Sequence, residues 1–268
     1  MTLLSVELCN ERRAAVLAGG RVRCTRLARY SIPRGFAITT SSAHLRPFRG
    51  DLESVRVSVW YTLLALLVII AIGTPLAYWL ARSRFRGKVF VEALVLLPLL
   101  MPPLAMGILI AVFYGPYSWA GRAAGRLGVE LTNTPAAFVL AQVYAAAPYF
   151  VVAARSAFEA VDPELEQISL TLGKSAWQTF WRITLPLSRL GLVAGIAIAW
   201  VRALGEFGIV LIIAYFPQGI PVKLWVNLQD IGLNAVYPLL WLFFLVALPL
   251  PLVLGIASRR YLNRPEAI

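Results

Sequence analysis

Long apolar stretches alternate with short polar and mostly basic segments along most of this chain. Each stretch holds about 20 or more mainly apolar residues, the length an α-helix needs to cross the hydrocarbon core of a bilayer. The stretches lie at residues 57–80, 90–114, 135–158, 187–215 and 236–258. The pattern predicts an all-α membrane protein with about five transmembrane helices.

Prolines fall inside several of these predicted spans. They are Pro75 in the first span, Pro98, Pro102 and Pro103 in the second, Pro148 in the third, and Pro249 and Pro251 in the fifth. Proline removes a helical hydrogen bond, and in lipid the freed carbonyl needs a new partner or water in a cavity. The fourth stretch is too long for a simple crossing. We expect it to break near residues 202–208 and to continue as a re-entrant or interfacial segment.

Composition and charge agree with this class of protein. Hydrophobic residues make up 59% and charged residues 14% of the 268 residues, and the net charge is +12. In a soluble chain that charge would indicate a nucleic acid partner, but here the basic residues lie in the N-terminal segment or beside the spans. Basic residues in short loops favour the cytoplasmic side. We therefore expect a multi-pass protein of the cell membrane, with segments 81–89 and 159–186 in the cytoplasm and no nucleic acid partner.

The N-terminal segment, residues 1–50, does not fit the pattern. It holds nine arginines and lacks the apolar core of a secretory signal. The two cysteines, Cys9 and Cys24, and the one histidine, His44, also lie there without metal-binding spacing, so no metal site is predicted. We expect a poorly ordered Arg-rich extension, a transmembrane domain at 51–262 and a short tail at 263–268.

A polar segment at residues 162–184 separates two of the apolar stretches. Asp162 before Pro163 is typical of a helix start, Gly173 of a helix end, and Ser175 of the start of a second short helix at 176–182. Leu165, Ile168 and Leu172 share one helical face, and Trp177, Phe180 and Trp181 add large apolar surface just after the turn. An apolar patch outside the membrane indicates a partner protein that docks on it.

This segment resembles the loop of ABC importer permeases that binds the ATPase, whose pattern is E-A-A, three residues, G, nine residues, I-x-L-P. Every spacing is kept: Gln167, Ile168 and Ser169 take the E-A-A positions, followed by Gly173 and then Ile183, Leu185 and Pro186. Glu166 stands one position ahead, as in the oxyanion-importing branch. The resemblance assigns ATPase coupling to these eight residues and to Trp177.

A second motif narrows the branch. The segment Arg202-Ala203-Leu204-Gly205-Glu206-Phe207-Gly208 is similar to one in permeases for molybdate, tungstate and sulfate, and residues 214–222 resemble the molybdate and tungstate members more. The resemblance covers about residues 55–262 and implies a type I ABC importer permease fold with a cytoplasmic coupling loop. It also implies a homodimer that works with cytoplasmic ABC ATPase subunits and an extracytoplasmic solute-binding protein.

Arg202 and Glu206 lie four residues apart on one helical face. A charge inside the membrane costs roughly 2.5 to 3.5 kcal/mol on insertion scales, so an ion pair is the natural way to keep both. The pair either lines a translocation path or only stabilises the broken helix or the dimer interface. The candidate path or gate residues are Pro102, Pro103, Arg202, Gly205, Glu206, Phe207 and Gly208.

The resulting hypothesis is an ATP-driven importer of molybdate or tungstate, with a sulfate or thiosulfate permease as the alternative. An ion-coupled secondary transporter would need ionisable residues in mid-span, for which Glu92, Arg202 and Glu206 are the candidates. A membrane scaffold or receptor would not need kinked spans. Gly173-Lys174-Ser175 resembles the end of a phosphate-binding loop, but Ile168 replaces its first glycine and no strand precedes it. We therefore expect no ATP site, catalytic residues or cofactor in this chain.

Overall fold

The computed structural model describes residues 49–128 and 130–262, and regular structure in these ranges is helical throughout. The all-α fold predicted from the sequence is thus confirmed. In chain order the helices are α1 (Arg49–Arg82), α2 (Lys88–Leu100), α3 (Pro103–Tyr114), α4 (Trp119–Arg126), α5 (Pro135–Glu159), α6 (Pro163–Thr171), α7 (Ala176–Thr179), a π-helical turn (Phe180–Thr184), α8 (Leu185–Leu204), α9 (Gly208–Ile213), α10 (Ile220–Asp230), α11 (Leu233–Ala247) and α12 (Pro249–Leu262).

In the part of the chain that the structure describes, four helical stretches are long and apolar enough to cross a membrane: Gly50–Arg82, Pro135–Glu159, Ala176–Leu204 and Leu233–Ile256. The second predicted span is different, because the chain bends by 114° between α2 and α3. The break lies at Met101 and Pro102, both with extended backbone (ψ 139° and 135°). Proline disfavours a helical conformation in the residue before it, and here two prolines follow one another. The predicted interruption is present, as a sharp bend between two helices.

The bent pair still carries the chain across the membrane. Arg82 at the end of α1 donates a hydrogen bond of 3.0 Å to the carbonyl of Val161, just after α5, so both helices end on the same side. Asn133, just before α5, donates through its backbone to the carbonyl of Ile213 at 2.7 Å, which places the far end of α9 beside the start of α5. Residues 83–134 must therefore change sides, which gives five crossings within the described residues.

The other prolines do not end a helix wherever they occur. Pro75, Pro98, Pro148 and Pro251 lie inside α1, α2, α5 and α12, which continue through them. The fourth stretch does break where predicted, because α8 ends at Leu204 and α9 begins at Gly208. Helix α1 begins at Arg49, within the predicted N-terminal extension; residues 1–48 of that extension and the predicted tail at 263–268 lie outside the described residues.

The centre of the fold is formed by α1, α5 and α8. Small residues such as Ala77, Ala146 and Ala154 are fully buried there and let the helices approach closely, while Phe150 and Phe158 fill the remaining space. Lipid tails are as apolar as leucine, so close packing of small residues is what holds such helices together. This three-helix core fixes the two ends at which the candidate sites lie.

Candidate functional site

The docking loop, residues 162–184, contains the helix caps that the sequence predicts. The Asp162 carboxylate accepts the Glu164 amide at 2.9 Å and begins α6. Gly173 has a φ of +79°, a left-handed conformation that glycine adopts without strain, and it turns the chain after α6. Ser175 and Gln178 form a reciprocal capping box at the start of α7, with both contacts at 3.3 Å. These caps and the turn at Gly173 give the docking loop a defined helix–turn–helix conformation.

The second helix of the docking loop differs from its predicted bounds of 176–182. Helix α7 continues through the π-helical turn into α8, and within that turn the Leu185 amide donates to the carbonyl of Phe180. Proline in a helix clashes with the carbonyl four residues earlier, and a π-helical turn widens the backbone at that point. Pro186 is thus accommodated inside one helix from Ala176 to Leu204, and the docking loop is rigidly continuous with a span.

Four of the nine predicted coupling residues face the protein interior. The Glu166 carboxylate forms an ion pair with Arg82 at 2.7 Å and accepts the Thr184 hydroxyl at 2.7 Å. The Ser169 hydroxyl lies 2.9 Å from that of Thr179, and both are buried, so the two helices of the loop are joined directly. Ile183 and Leu185 are half-buried. These four residues hold the docking loop against the rest of the protein. Contact with a partner therefore falls to the exposed residues of the loop.

The opposite face of the docking loop is apolar and exposed. Trp177 is 69% exposed and Leu172 75%, and Ile168 and Trp181 are also on the surface. The rings of Trp177 and Trp181 meet edge to face with centroids 5.5 Å apart, which keeps both turned outward. The remaining predicted coupling residues, Gln167, Gly173 and Pro186, are exposed as well. This docking face presents large apolar side chains beyond the end of the transmembrane helices, where a partner can bury them.

A second group of polar side chains lies at the break between α8 and α9. Arg202 forms an ion pair with Glu206, as its spacing predicts. The other carboxylate oxygen of Glu206 accepts the Ile209 amide at 2.8 Å, so Glu206 also caps α9. The Glu206 side chain is 1% exposed and that of Arg202 28% exposed. The buried carboxylate therefore has a cation and a backbone donor, which is how a charge is retained in a low-dielectric site.

The structure brings the predicted path residues of two distant segments together. Gly208 packs directly on Pro103, where a Cβ on residue 208 would lie 2.6 Å from the Cβ of that proline. Phe207 packs against Trp225 of α10, with ring centroids 5.8 Å apart. Helix α3 thus lies on α9, and the bend at Pro102 meets the break after α8. The two irregular parts of the spans form one junction.

A groove of about 510 Å³ runs beside this junction. It is lined by Tyr149, Ala197, Ile198, Val201, Arg202, Gly205 and Pro251. The Arg202 guanidinium carbon lies 5.8 Å from the centre of the Tyr149 ring, within the range of a cation–π contact. Of the predicted path residues, Arg202 and Gly205 line the groove. Among the described residues, no cluster of His, Cys, Asp and Glu is arranged to hold a metal ion.

Residues 73–264 match the model of the family described as "Binding-protein-dependent transport system inner membrane component". The chain belongs to this family. The match covers most of the described helices and includes both the docking loop and the junction. It confirms the resemblance to ABC importer permeases that the two sequence motifs indicate.

Proteins with similar sequences support this assignment. The chain is 44% identical over 182 residues to the probable molybdenum ABC transporter permease protein of Haloferax volcanii, covering 68% of this chain and 66% of that protein. It is 35% identical over 164 residues to the molybdenum transport system permease protein ModB of Azotobacter vinelandii, covering 61% and 73%. It is 32% identical over 188 residues to the molybdate/tungstate transport system permease protein WtpB of Pyrococcus furiosus, covering 70% of each. The matches span about two thirds of these relatives.

Solved structures of transporters share the fold. A bacterial ABC transporter that imports alginate matches with a TM-score of 0.66 and 18% identity, covering 82% of each chain. The MetNI methionine ABC transporter, in inward-facing conformations, matches with a TM-score of 0.59 and 17% identity, covering 78% of this chain and 93% of that one. The predicted type I ABC importer permease fold is thus confirmed.

Several residues that build these sites were not singled out from the sequence. Arg82 belongs to a basic segment that indicates only the orientation in the membrane, and Thr184 occupies the unspecified position of the I-x-L-P motif. Gln142 of α5 is buried and donates to the Thr62 hydroxyl at 2.8 Å and to the carbonyl of Ala203 at 3.1 Å, next to the break after α8. Its one available signal was that it is a polar residue within an apolar span, where such residues commonly bind neighbouring helices.

The contact between Gly208 and Pro103 predicts a large effect of adding one methyl group. In Gly208→Ala the new Cβ would also lie 3.0 Å from the backbone of Leu104, which has little room to move. Overpacking of this kind costs about 1 to 3 kcal/mol, so we expect a lower thermal unfolding temperature in detergent. Gly125→Ala in α4 is the control, since no atom lies within 4 Å of its Cβ position. Equal unfolding temperatures for the two variants would contradict the close contact.

Proposed function

We propose that this chain is the permease subunit of an ATP-driven importer of molybdate or tungstate. The observation that carries the proposal is the docking loop, which is capped at each turn, tied to the transmembrane core and apolar on its exposed face. A loop built in this way serves to transmit force from a partner. The proposed identity of the substrate is based on the relatives, whose names specify molybdenum, molybdate or tungstate.

Cytoplasmic ATPase subunits are the proposed partners at the docking face. Trp177, Trp181 and Leu172 give it the aromatic and aliphatic surface that forms the centre of protein interfaces. ATP hydrolysis would then take place in the partner and not in this chain. An extracytoplasmic solute-binding protein is proposed on the opposite side. The solved alginate transporter was determined in complex with such a periplasmic protein, which supports this arrangement.

The proposed permease works as a homodimer. Arg202 lies within the span that ends at Leu204, and its side chain is partly exposed in the groove beside α8. A cation within a transmembrane segment faces the interior of a bundle or a water-filled cavity, because lipid does not solvate it. A second copy packed against this side would keep lipid away from Arg202 and leave room for a passage between the two chains.

Transport in this scheme is alternating access. Approach of two ATP-bound ATPases would push the two docking loops together, and the rigid connection from α7 to α8 would pass this movement to the junction at Gly208 and Pro103. The broken helices are suited to such a role because irregular backbone at membrane depth is found where it lines a cavity. The passage would open to one side of the membrane at a time.

The experiment that tests the function is reconstituted uptake. The chain, its ATPase and its binding protein are placed in proteoliposomes, and accumulation of molybdate, tungstate, sulfate and thiosulfate is measured with and without ATP. We expect ATP-dependent uptake of molybdate or tungstate and at least about tenfold less of the sulfur oxyanions. Preferred uptake of sulfate would favour the sulfate permease. Uptake driven by an ion gradient without ATPase would show a secondary transporter.

A further inference from the structure

Three hydrogen bonds from Arg82 fix the cytoplasmic end of α1 to the docking loop and to the turn just before it. Arg82 donates to Glu166 through Nη2 at 2.7 Å and Nε at 3.2 Å, and Nη2 also donates to the carbonyl of Val161 at 3.0 Å. Val161 belongs to the turn between α5 and α6, and Glu166 also accepts the hydroxyl of Thr184 from the π-helical turn. The Arg82 and Glu166 side chains are only 19% and 12% exposed. One ion pair thus joins α1 to both halves of the loop.

The other end of α1 is fixed to α10 in a similar way. The Ser58 hydroxyl accepts the Ile220 amide at 2.7 Å, and both residues are fully buried. About two turns earlier in α1, Asp51 accepts a hydrogen bond of 3.2 Å from the Asn227 side chain, and these two residues are buried as well. Helix α10 is therefore hydrogen-bonded to α1 at two places, through Ile220 at its start and through Asn227 in its second half. We expect the two helices to move together.

Helix α1 connects these two groups of contacts without a break. It has 34 residues, which corresponds to a length of about 51 Å. It carries Arg82 at its last position and Asp51 in its first turn. The docking loop and α10 lie on opposite sides of the membrane. Helix α1 has partly buried polar contacts with the docking loop and buried ones with α10.

We propose that α1 couples the docking loop to the outer surface, with Arg82 as the positioning residue at the inner end and Ser58 at the outer end. A movement of the docking loop pulls on Arg82 through Glu166, shifts α1 along with it, and displaces α10 through the Ile220 amide. Movement of α10 acts in the reverse direction. This proposal rests on the proposed function, since it assigns a second route, beside the one through α7 and α8, by which the outer surface and the ATPase affect each other.

The first test measures coupling in the reconstituted complex. Glu166→Gln removes the ion pair but keeps an oxygen that accepts the Thr184 hydroxyl, and Ser58→Ala removes the acceptor for Ile220. In complexes purified with their full complement of ATPase, we expect each variant to transport about five to tenfold less oxyanion per ATP hydrolysed, within the usual range of coupling between sites. In the double variant we expect no further loss, because α1 is already disconnected at one end.

Matched controls separate this coupling role from general stability. Ser54→Ala alters the same buried helix one turn away, but the Ser54 hydroxyl bonds only the carbonyl of Gly50 in its own helix. Glu159→Gln removes an ion pair with Arg155 of the same helix, three residues before the docking loop begins. Both controls are expected to keep the wild-type ratio of transport to ATP hydrolysis. Multiplied losses in the double variant, or unchanged singles, would overturn the proposal.

A second measurement needs no ATPase. In hydrogen–deuterium exchange of the full chain in detergent, Glu166→Gln is expected to increase exchange in α10, and Ser58→Ala to increase it in α6. Each change would lie across the membrane from its mutation, which a local structural role does not produce. Exchange that rises only beside the mutated residue would overturn the proposal even if uptake confirms the proposed function. Failure of uptake with remote changes in exchange would instead contradict the proposed function alone.

Discussion

Replacing Trp177 by glutamate is expected to abolish association with the ATPase and to leave the chain inserted in the membrane. Trp177 is 69% exposed at the centre of the docking face, beside Trp181. A large aromatic anchor carries much of the binding energy of an interface, and a carboxylate there would be buried without a partner. We expect the ATPase to be lost from co-purification. Insertion should be unaffected because the residue lies outside the spans.

Trp119→Glu is the matched control for this prediction. Trp119 is also 69% exposed and also lies near the start of a short helix, but α4 is at the opposite end of the transmembrane helices. The variant makes the same chemical change at the same exposure without touching the docking face. We expect normal ATPase recovery from it. If Trp177→Glu recovers as much ATPase as Trp119→Glu, the docking face is assigned to the wrong surface.

The parts of the docking loop that follow local rules could be predicted from the sequence. Asp162, Gly173 and Ser175 each act on backbone within three residues, so their types and spacing are sufficient to place two helices and a turn. The spans were predictable for the same reason, since bilayer thickness sets their length. The end of the second helix was not, because whether the chain stops or widens into a π-helical turn before Pro186 depends on packing along the whole of α8.

The direction in which the coupling residues face is a tertiary property. Glu166 lies in a short exposed helix and has the character of a surface residue in the sequence, yet it turns inward because Arg82, 84 residues earlier, supplies a cation. No periodicity in the docking loop contains that information. The same applies to Gln142, whose partners Thr62 and Ala203 lie on two other helices. Such contacts are set by how helices pack.

The junction between α3 and α9 is another feature that sequence alone predicts only in part. The break at residues 205–207 could be predicted from its charge and glycines, and the bend at Pro102 from its prolines. Their contact could not, because Gly208 and Pro103 lie on separate spans and meet only when α3 folds back by 114°. The sequence predicts where helices are irregular. Three-dimensional packing determines which irregular segments meet.

Removing Arg202 is expected to be among the most damaging single changes in the chain. In Arg202→Leu the Glu206 carboxylate, 1% exposed, keeps one backbone donor and loses its cation. Breaking a buried ion pair on one side costs about 3 to 5 kcal/mol, and we expect the lower end because Arg202 itself is partly exposed. Thermal unfolding in detergent and oxyanion uptake at matched membrane abundance would measure the loss.

The double variant Arg202→Leu/Glu206→Leu is expected to lose less than Arg202→Leu alone. Removing both charges leaves only the Ile209 amide without its acceptor, and one unpaired backbone donor costs about 1 to 3 kcal/mol. Glu206→Gln in the Arg202→Leu background is the matched control, since it removes the charge but keeps an oxygen for Ile209, and it should recover more stability than the double leucine variant. Strictly additive losses would show that the two side chains do not interact. If stability is restored and uptake is not, Arg202 acts on the passing oxyanion and does more than hold the broken helix together.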